Sequence, residues 1–190
     1  ASTAILAAVH QRTRTGRGQQ IDLALFDVAT SVMANQAMNY LATGQAPQRL
    51  GNAHPNIVPY QVFDCADGHI IVAAGNDGQF RKFCDVLDLS ALGTDPDYAT
   101  NAARLENRDT LTVALTEKTR KMTRDGLLSA CEAQGVPAGP INDMADVFAD
   151  PQIIARGMQV DLDGVPGVRL PVRFSDADVS PTGPSPKLKS

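Results

Sequence analysis

The chain has 190 residues, 43% of them hydrophobic and 20% charged, and this balance excludes a largely disordered protein. A net charge of -4 argues against a nucleic-acid surface, which usually needs a clustered excess of Lys and Arg. Apolar runs are short and no basic-then-apolar leader is present, so we expect neither a membrane partner nor a signal peptide. A soluble, cytoplasmic protein is predicted.

The first fifty residues alternate between helical and strand patterns. A helical stripe containing Ile5 and Val9 ends at Gly16, which suits the left-handed position after a helix. Residues 21–25 alternate apolar and polar side chains and predict a half-buried strand. Apolar side chains at helical spacing over residues 26–40 then predict a second helix. This helix–strand–helix order is typical of an α/β domain.

The middle of the chain predicts an irregular loop followed by a mixed unit. Gly, Asn and Pro interrupt residues 50–59, which therefore form a loop. Residues 60–75 contain two apolar strand candidates around an Asp-Gly pair, which is a hairpin signal. A helix should follow, capped by Asn76 or Asp77, with Phe80, Phe83, Cys84 and Leu87 on one apolar face.

Further helices and a second hairpin are predicted towards the end of the chain. Residues 158–174 alternate on both sides of the sequence DGVPG and predict the hairpin, and a Ser-, Pro- and Gly-rich tail starts at Ser175. The predicted helices cover residues 104–119, residues 123–134 with Thr123 as cap, residues 144–149, and a short stretch that starts at Pro151.

The cysteines and two of the histidines show no pattern of metal ligands. Cys65, Cys84 and Cys131 lie far apart, form no C-x-x-C pair and have no His at ligand spacing. They are predicted to be buried, reduced thiols. His10 and His69 are predicted to be ordinary surface or half-buried side chains, and no metal cofactor is expected.

Charged residues near the start of the chain have two interpretations. Arg12, Arg14 and Arg17 either bind phosphate or complement a helix end in solvent, and the second role is the more common one in this setting. Asp22 and Asp27 are predicted to be structural, with Asp27 capping the next helix.

A resemblance to one enzyme family extends, in order, over the whole chain. It is carried by ILAAVHQRTRTGRGQQIDLALFDVA, LGNAHPNIVPYQVFDCADGHIIVAAGNDGQFRKFCDVL, NAARLENRDTL, GVPAGPINDMADVFADPQIIARGM, PVRFS and PSPKL. Together these segments resemble class III CoA-transferases, the CaiB/BaiF family. One segment alone would be weak evidence, because Gly and Pro residues between helices and strands are common. The six segments in this order are specific evidence for the family.

The resemblance implies an α/β fold class and a division of the chain. It predicts the C-terminal part of a two-domain enzyme, with a fragment of a parallel α/β large domain followed by a smaller α+β domain. In the full-length family the subunits form an interlocked homodimer. The implied segments are residues 1–48 (large-domain fragment), 49–60 (linker and active-site loop), 61–155 (small α+β domain) and 156–190 (hairpin and returning tail).

The resemblance also implies a reaction. CoA moves from an acyl-CoA donor to a carboxylic acid acceptor through an enzyme aspartyl-CoA intermediate, with coenzyme A entering as the acyl-CoA substrate. A carboxylate suits the role of nucleophile because it is ionised at neutral pH and its anhydride stays reactive. The nucleophilic aspartate is expected upstream of Ala1, so these 190 residues alone are predicted to be inactive.

One loop matches the family segment that closes over the reacting acyl group. His54 and Asn56, or backbone amides near them, are predicted to contact the acyl or acceptor group, although a plain linking loop is the alternative. In the formyl-CoA transferase branch this segment is a run of glycines, so its absence here favours substrates larger than oxalate or formate. The predicted substrate-binding residues are Gly51, Asn52, Ala53, His54, Pro55 and Asn56.

A second segment has both a structural and a functional interpretation. Asp77 and Gln79 lie where the racemase branch of the family places a glutamate, and they form a possible second site; the alternative is that this stretch only caps a helix. An acyl-CoA racemase or epimerase, which moves an alpha proton, and a non-catalytic interaction module or inactive fragment therefore remain alternative functions. The pattern Asp77-Gly78-Gln79 favours transfer.

Overall fold

The computed structural model describes residues 1–181 and 183–186, in two compact units, Ala1–Asn56 and Ile57–Ser190. They are called unit 1 and unit 2 below. Thr182 and residues 187–190, which include the end of the predicted tail and of the PSPKL segment, lie outside the described residues. None of the helices in the described part of the chain is long and apolar enough to cross a membrane.

Unit 1 contains three helices, and the first of them ends at Gly16 as predicted. Gly16 and Gly44 end two of the helices with φ of 70° and 71°, the left-handed conformation in which glycine has no steric penalty. The helices are α1 (Ser2–Thr15), α2 (Leu25–Val32) and α3 (Ala34–Thr43).

Three local predictions in unit 1 are wrong. Residues 21–24 are irregular, and Leu25 begins α2 instead of ending a strand. A strand needs a hydrogen-bonded neighbour, and no strand of the described residues pairs with this segment. Asp27 is not a cap but lies in the first turn of α2, where its carboxylate suits the helix dipole. The single helix predicted over residues 26–40 is two helices, divided at Ala34, whose φ is 30°.

A three-stranded antiparallel sheet organises unit 2. Its strands are β1 (Tyr60–Cys65), β2 (Gly68–Ala73) and β3 (Ala138–Pro140), in the spatial order β1-β2-β3. β1 and β2 form the hairpin that the Asp-Gly pair predicts, with Cys65 opposite Gly68.

Seven helices of the described chain surround this sheet or follow it. Thr123 caps its helix as predicted, by accepting a hydrogen bond from the Gly126 N–H. The helix predicted over residues 104–119 is two helices that meet at Asn107. The helices are α4 (Asp77–Val86), α5 (Ser90–Thr94), α6 (Asn101–Glu106), α7 (Arg108–Thr119), α8 (Arg124–Gln134), α9 (Met144–Ala149) and α10 (Pro151–Ala155).

The hydrophobic core of unit 2 lies between the sheet and its helices. Phe63 of β1 and Phe83 of α4 bring their ring centroids within 5.8 Å. The apolar face predicted for the helix after Asn76 is confirmed, because Phe80, Phe83, Cys84 and Leu87 are all buried. The other core side chains include Ile70, Val72, Leu111, Leu115, Leu127 and Cys131.

The second hairpin is shorter than the pattern predicts. It consists of β4 (Gln159–Leu162) and β5 (Val165–Val168), and its ladder ends where Gln159 pairs with Val168. Beyond this pair the Arg169 N–H donates to the Met158 carbonyl at 2.8 Å, but residues 156–157 form the turn that follows α10. Among the described residues, the alternation up to Phe174 therefore has no opposite strand that would continue the ladder.

Candidate functional site

The predicted acyl loop, residues 51–56, forms a compact turn in unit 1. Gly51 has a positive φ of 61°, and the Ala53 N–H donates to the Leu50 carbonyl at 3.0 Å. The Asn56 N–H donates to His54 Nδ1 at 3.1 Å. This hydrogen bond fixes the His54 ring within the turn.

A reciprocal pair of amides joins the end of this loop to α3. The Asn39 Nδ2 donates to Asn56 Oδ1 at 3.1 Å, and the Asn56 Nδ2 donates to Asn39 Oδ1 at 3.0 Å. Asn39 also donates to Gln36 Oε1 at 3.2 Å. These amides line a cleft of about 260 Å³ together with Pro47 and Pro55. The cleft lies within unit 1, and its lining mixes amide and proline side chains.

The possible second site, Asp77 and Gln79, lies at the N-terminus of α4 in unit 2. Asn76 caps this helix through its side-chain oxygen, which accepts the Gln79 N–H at 2.9 Å. Gln79 Oε1 in turn accepts the Gly75 N–H at 2.8 Å. The predicted cap is confirmed, whereas a role in substrate binding for Asp77 and Gln79 stays a prediction.

The sequence patterns did not identify the group that binds Asp77, which is the fully buried guanidinium of Arg104 in α6. Its Nη2 donates to Asp77 Oδ1 at 2.8 Å, its Nε to the Val58 carbonyl at 2.6 Å, and its Nη1 to the Tyr98 carbonyl at 2.9 Å. The guanidinium carbon lies 4.5 Å from the centre of the Phe80 ring. Arginine is almost never fully buried without such partners, and two of them, Asp77 and Val58, lie 27 and 46 positions away in the chain.

The basic residues at the start of the chain occupy a helix end, as the more common interpretation predicts. Arg12 and Arg14 lie in the last turn of α1, where positive charge complements the dipole, and both are exposed. His69 is also exposed and lies 3.4 Å from Asp64.

The cysteines are free thiols, and two of the three are fully buried. Burial raises the pKa of the Cys84 thiol to about 12, with a smaller contribution from the Asp85 carboxylate. Burial likewise raises the pKa of Cys131 to about 11. Cys65 is half-buried. Among the described residues no cluster of three or more His, Cys, Asp or Glu side chains could hold a metal ion.

These thiol pKa values predict a loss of stability at alkaline pH. In the unfolded chain the thiols ionise near pH 9, whereas Cys84 and Cys131 keep their protons until about pH 12 and about pH 11 in the folded chain. The unfolded state therefore binds fewer protons above pH 9, and the free energy of unfolding falls as the pH rises through this window. Urea unfolding from about pH 8 to about pH 11 measures the decline, and the Cys84→Ala, Cys131→Ala variant should show a shallower one. Equal slopes would contradict the prediction.

The family comparison agrees with the motifs. A family model described as CoA-transferase family III matches residues 1–190. The chain belongs to CoA-transferase family III. The predicted resemblance to the CaiB/BaiF family is confirmed, and so is the mixed helix-and-sheet fold.

Relatives and solved structures of family III give the extent of the match. The succinate–glutarate CoA-transferase of Agrobacterium fabrum is 49% identical over 98% of this chain and 48% of its own length. Human succinyl-CoA:glutarate CoA-transferase is 38% identical over 97% of the chain and 43% of its own length. A CaiB/BaiF protein of Brucella suis, known from its crystal structure, is 56% identical with a TM-score of 0.81, over 98% of this chain and 49% of that one. The chain spans about half the length of the relatives it matches.

Proposed function

We propose that the full-length protein transfers coenzyme A from an acyl-CoA donor to a carboxylic acid acceptor. The observation that carries this proposal is the match of family III to residues 1–190, together with 49% identity to a relative named for CoA transfer. Coenzyme A then enters as part of the acyl-CoA substrate, and the chemistry needs no metal.

The proposed substrates are dicarboxylic acids, with succinyl-CoA as donor and glutarate as acceptor. Two relatives, one bacterial and one human, are named for these two acids. The acyl loop supports this choice, because His54-Pro55-Asn56 replaces the glycine run expected for formate or oxalate. The cleft of about 260 Å³ beside Asn39 and Asn56 also contains side-chain amides that could bind a free carboxylate.

The proposed mechanism uses an aspartate from a part of the protein outside these residues. Its carboxylate attacks the thioester carbonyl, and the CoA thiolate leaves with the formation of a mixed anhydride. The thiolate then attacks the aspartyl carbonyl, which releases the donor acid and forms an aspartyl-CoA thioester. The acceptor carboxylate reverses the two steps. Without the aspartate, the 190 residues alone should not transfer CoA.

Residues of the acyl loop would stabilise the negative charge that develops on the carbonyl oxygens. Asn39 holds the Asn56 side-chain amide and His54 binds the Asn56 N–H, so the geometry of both loop residues is fixed before substrate binds. Preorganised donors stabilise a developing oxyanion because they need no reorientation during the reaction.

The sequence Asp77-Gly78-Gln79 supports transfer over racemisation, and the contact with Arg104 occupies one of the two carboxylate oxygens of Asp77. A racemase base must accept an alpha proton from the substrate, and Asp77 Oδ1 already accepts a hydrogen bond from the buried guanidinium. That oxygen is engaged before any substrate binds.

An acceptor-dependence assay of the full-length protein tests the proposal. Succinyl-CoA and glutarate should give glutaryl-CoA by mass spectrometry, oxalate should be a poorer acceptor, and the 190-residue chain should give no product. Deuterium incorporation at the alpha carbon of an acyl-CoA in the absence of an acceptor would instead support racemisation. Absence of both reactions would leave the non-catalytic interaction module.

We also propose that the full-length protein is a cytoplasmic homodimer. Support comes from unit 1, in which none of the residues is fully buried and large apolar side chains such as Leu25, Phe26 and Leu41 are exposed. Apolar surface of this extent is normally covered by further protein. Light scattering on the preparation used for the assay should give twice the subunit mass, and a monomer would contradict the proposal.

A further inference from the structure

Both polar backbone groups of Val58 are bound by side chains of one helix. The Asn101 Oδ1 accepts the Val58 N–H at 3.1 Å, and the Arg104 Nε donates to the Val58 carbonyl at 2.6 Å. Val58 is fully buried and lies two residues after the acyl loop, before β1 begins at Tyr60. Asn101 and Arg104 are called the α6 clamp below.

The α6 clamp also binds two other segments of unit 2. The planar guanidinium of Arg104 donates to the Tyr98 carbonyl and to Asp77 at the start of α4, and it stacks over Phe80. A guanidinium has donors in a rigid fork, so filling several of them at once fixes the geometry of all the attached groups. One buried group therefore fixes Val58 and the N-terminus of α4, which holds the possible second site.

We propose that the α6 clamp positions the acyl loop for CoA transfer. Residues 50–59 lie outside the helices and strands, so the backbone bonds of a regular ladder do not restrict the loop. Anchoring Val58 fixes the backbone two residues after Asn56 and so adds to the restraint that Asn39 places on the loop. Catalysis by oriented groups is sensitive to displacements of about 1 Å. Asn101 and Arg104 are positioning residues that act through Val58.

This inference rests on the proposed function, and the Asn101→Ala variant of the full-length protein tests it. Asn101→Ala removes the acceptor of the Val58 N–H but leaves the buried charge of Arg104 in place. Hydrogen exchange read by mass spectrometry should show the Val58 amide exchanging about tenfold faster. The kcat of CoA transfer should fall about tenfold, with the KM for succinyl-CoA within about twofold of the parent value.

Asn107→Ala provides the matched control. Asn101 is the first residue of α6, and Asn107 is the residue that follows its last one. The Asn107 amide donates to the Asp97 and Ala103 carbonyls, so its loss removes comparable hydrogen bonds without touching Val58. We expect kcat and Val58 exchange close to the parent values in this variant. Asn101→Asp, which keeps an acceptor oxygen, should restore most of the activity.

The outcomes separate this inference from the proposed function. If the parent protein transfers CoA and Asn101→Ala leaves kcat unchanged, or Asn107→Ala lowers it equally, the positioning role is wrong. If the parent does not transfer CoA, the proposed function fails and the positioning role fails with it, even where the exchange of Val58 confirms the clamp. Faster exchange of the Val58 amide in Asn101→Ala, with a loss of kcat that Asn107→Ala does not show, supports both the proposed function and the positioning role.

Discussion

Replacing Asp77 with alanine is expected to lower the free energy of unfolding by about 3 kcal/mol, because the buried guanidinium of Arg104 loses its carboxylate. Arg104 is 0% exposed, and a charge left uncompensated in the interior cannot recover its hydration. The expected loss lies at the low end of the range for breaking a buried ion pair, because the Asp77 side chain is 44% exposed and water screens part of the attraction. Urea unfolding followed by circular dichroism measures the difference.

Asp64→Ala is the matched control for this prediction. Asp64 also pairs with an arginine, because Arg120 donates two hydrogen bonds to its Oδ2. Arg120 is 63% exposed, so we expect the free energy of unfolding to fall by no more than about 1 kcal/mol. In addition, Arg104→Met should destabilise the Asp77→Ala protein less than it destabilises the parent, because the orphaned charge is then removed.

The Asp77 variant also separates the two interpretations of the second site. A structural role predicts a large loss of stability, with any loss of transfer recovered at low temperature, where the variant is folded. A stable Asp77→Ala protein with no transfer activity would contradict the structural role and place Asp77 among the groups that contact the substrate.

Phe83→Ala is expected to lower the free energy of unfolding by about 3 to 5 kcal/mol. Phe83 is fully buried on α4, and its ring contacts that of Phe63 on β1. The substitution removes apolar contacts and leaves a cavity between the helix and the sheet, where close packing allows little collapse. Thermal and urea unfolding measure the change.

A phenylalanine at the surface serves as the control for Phe83. Phe174 is 59% exposed in the segment after β5, so Phe174→Ala should change the free energy of unfolding by about 0.5 kcal/mol or less. Equal losses for the two variants would show that α4 does not pack on the sheet as described.

Predictions from local pattern succeeded where local chemistry decides the structure. Gly16 ends α1, Thr123 caps α8, and the Asp-Gly pair closes the hairpin of β1 and β2, because each depends on residues only a few positions apart. The predicted strand at residues 21–25 failed for the opposite reason. Alternation shows that a segment could be a strand, but only a hydrogen-bonded neighbour makes it one.

The candidate site likewise combines features that the sequence predicts with contacts that only the structure shows. The ordered motifs identified the family, and sequence alone was sufficient for that, whereas the assignment of Gly51–Asn56 to acyl-group binding stays a prediction. The pairing of Asn56 with Asn39 joins residues 17 positions apart, and no short-range pattern encodes it.

The sequence by itself determined the family, the helix ends, the first hairpin and the apolar face of α4. Only the tertiary structure decided that Arg104 is buried and that it joins Val58, Tyr98 and Asp77. The physical reason is the range of the interactions. Caps and turns are settled by neighbouring residues, whereas burial of a charge depends on partners 27 and 46 positions away in the chain.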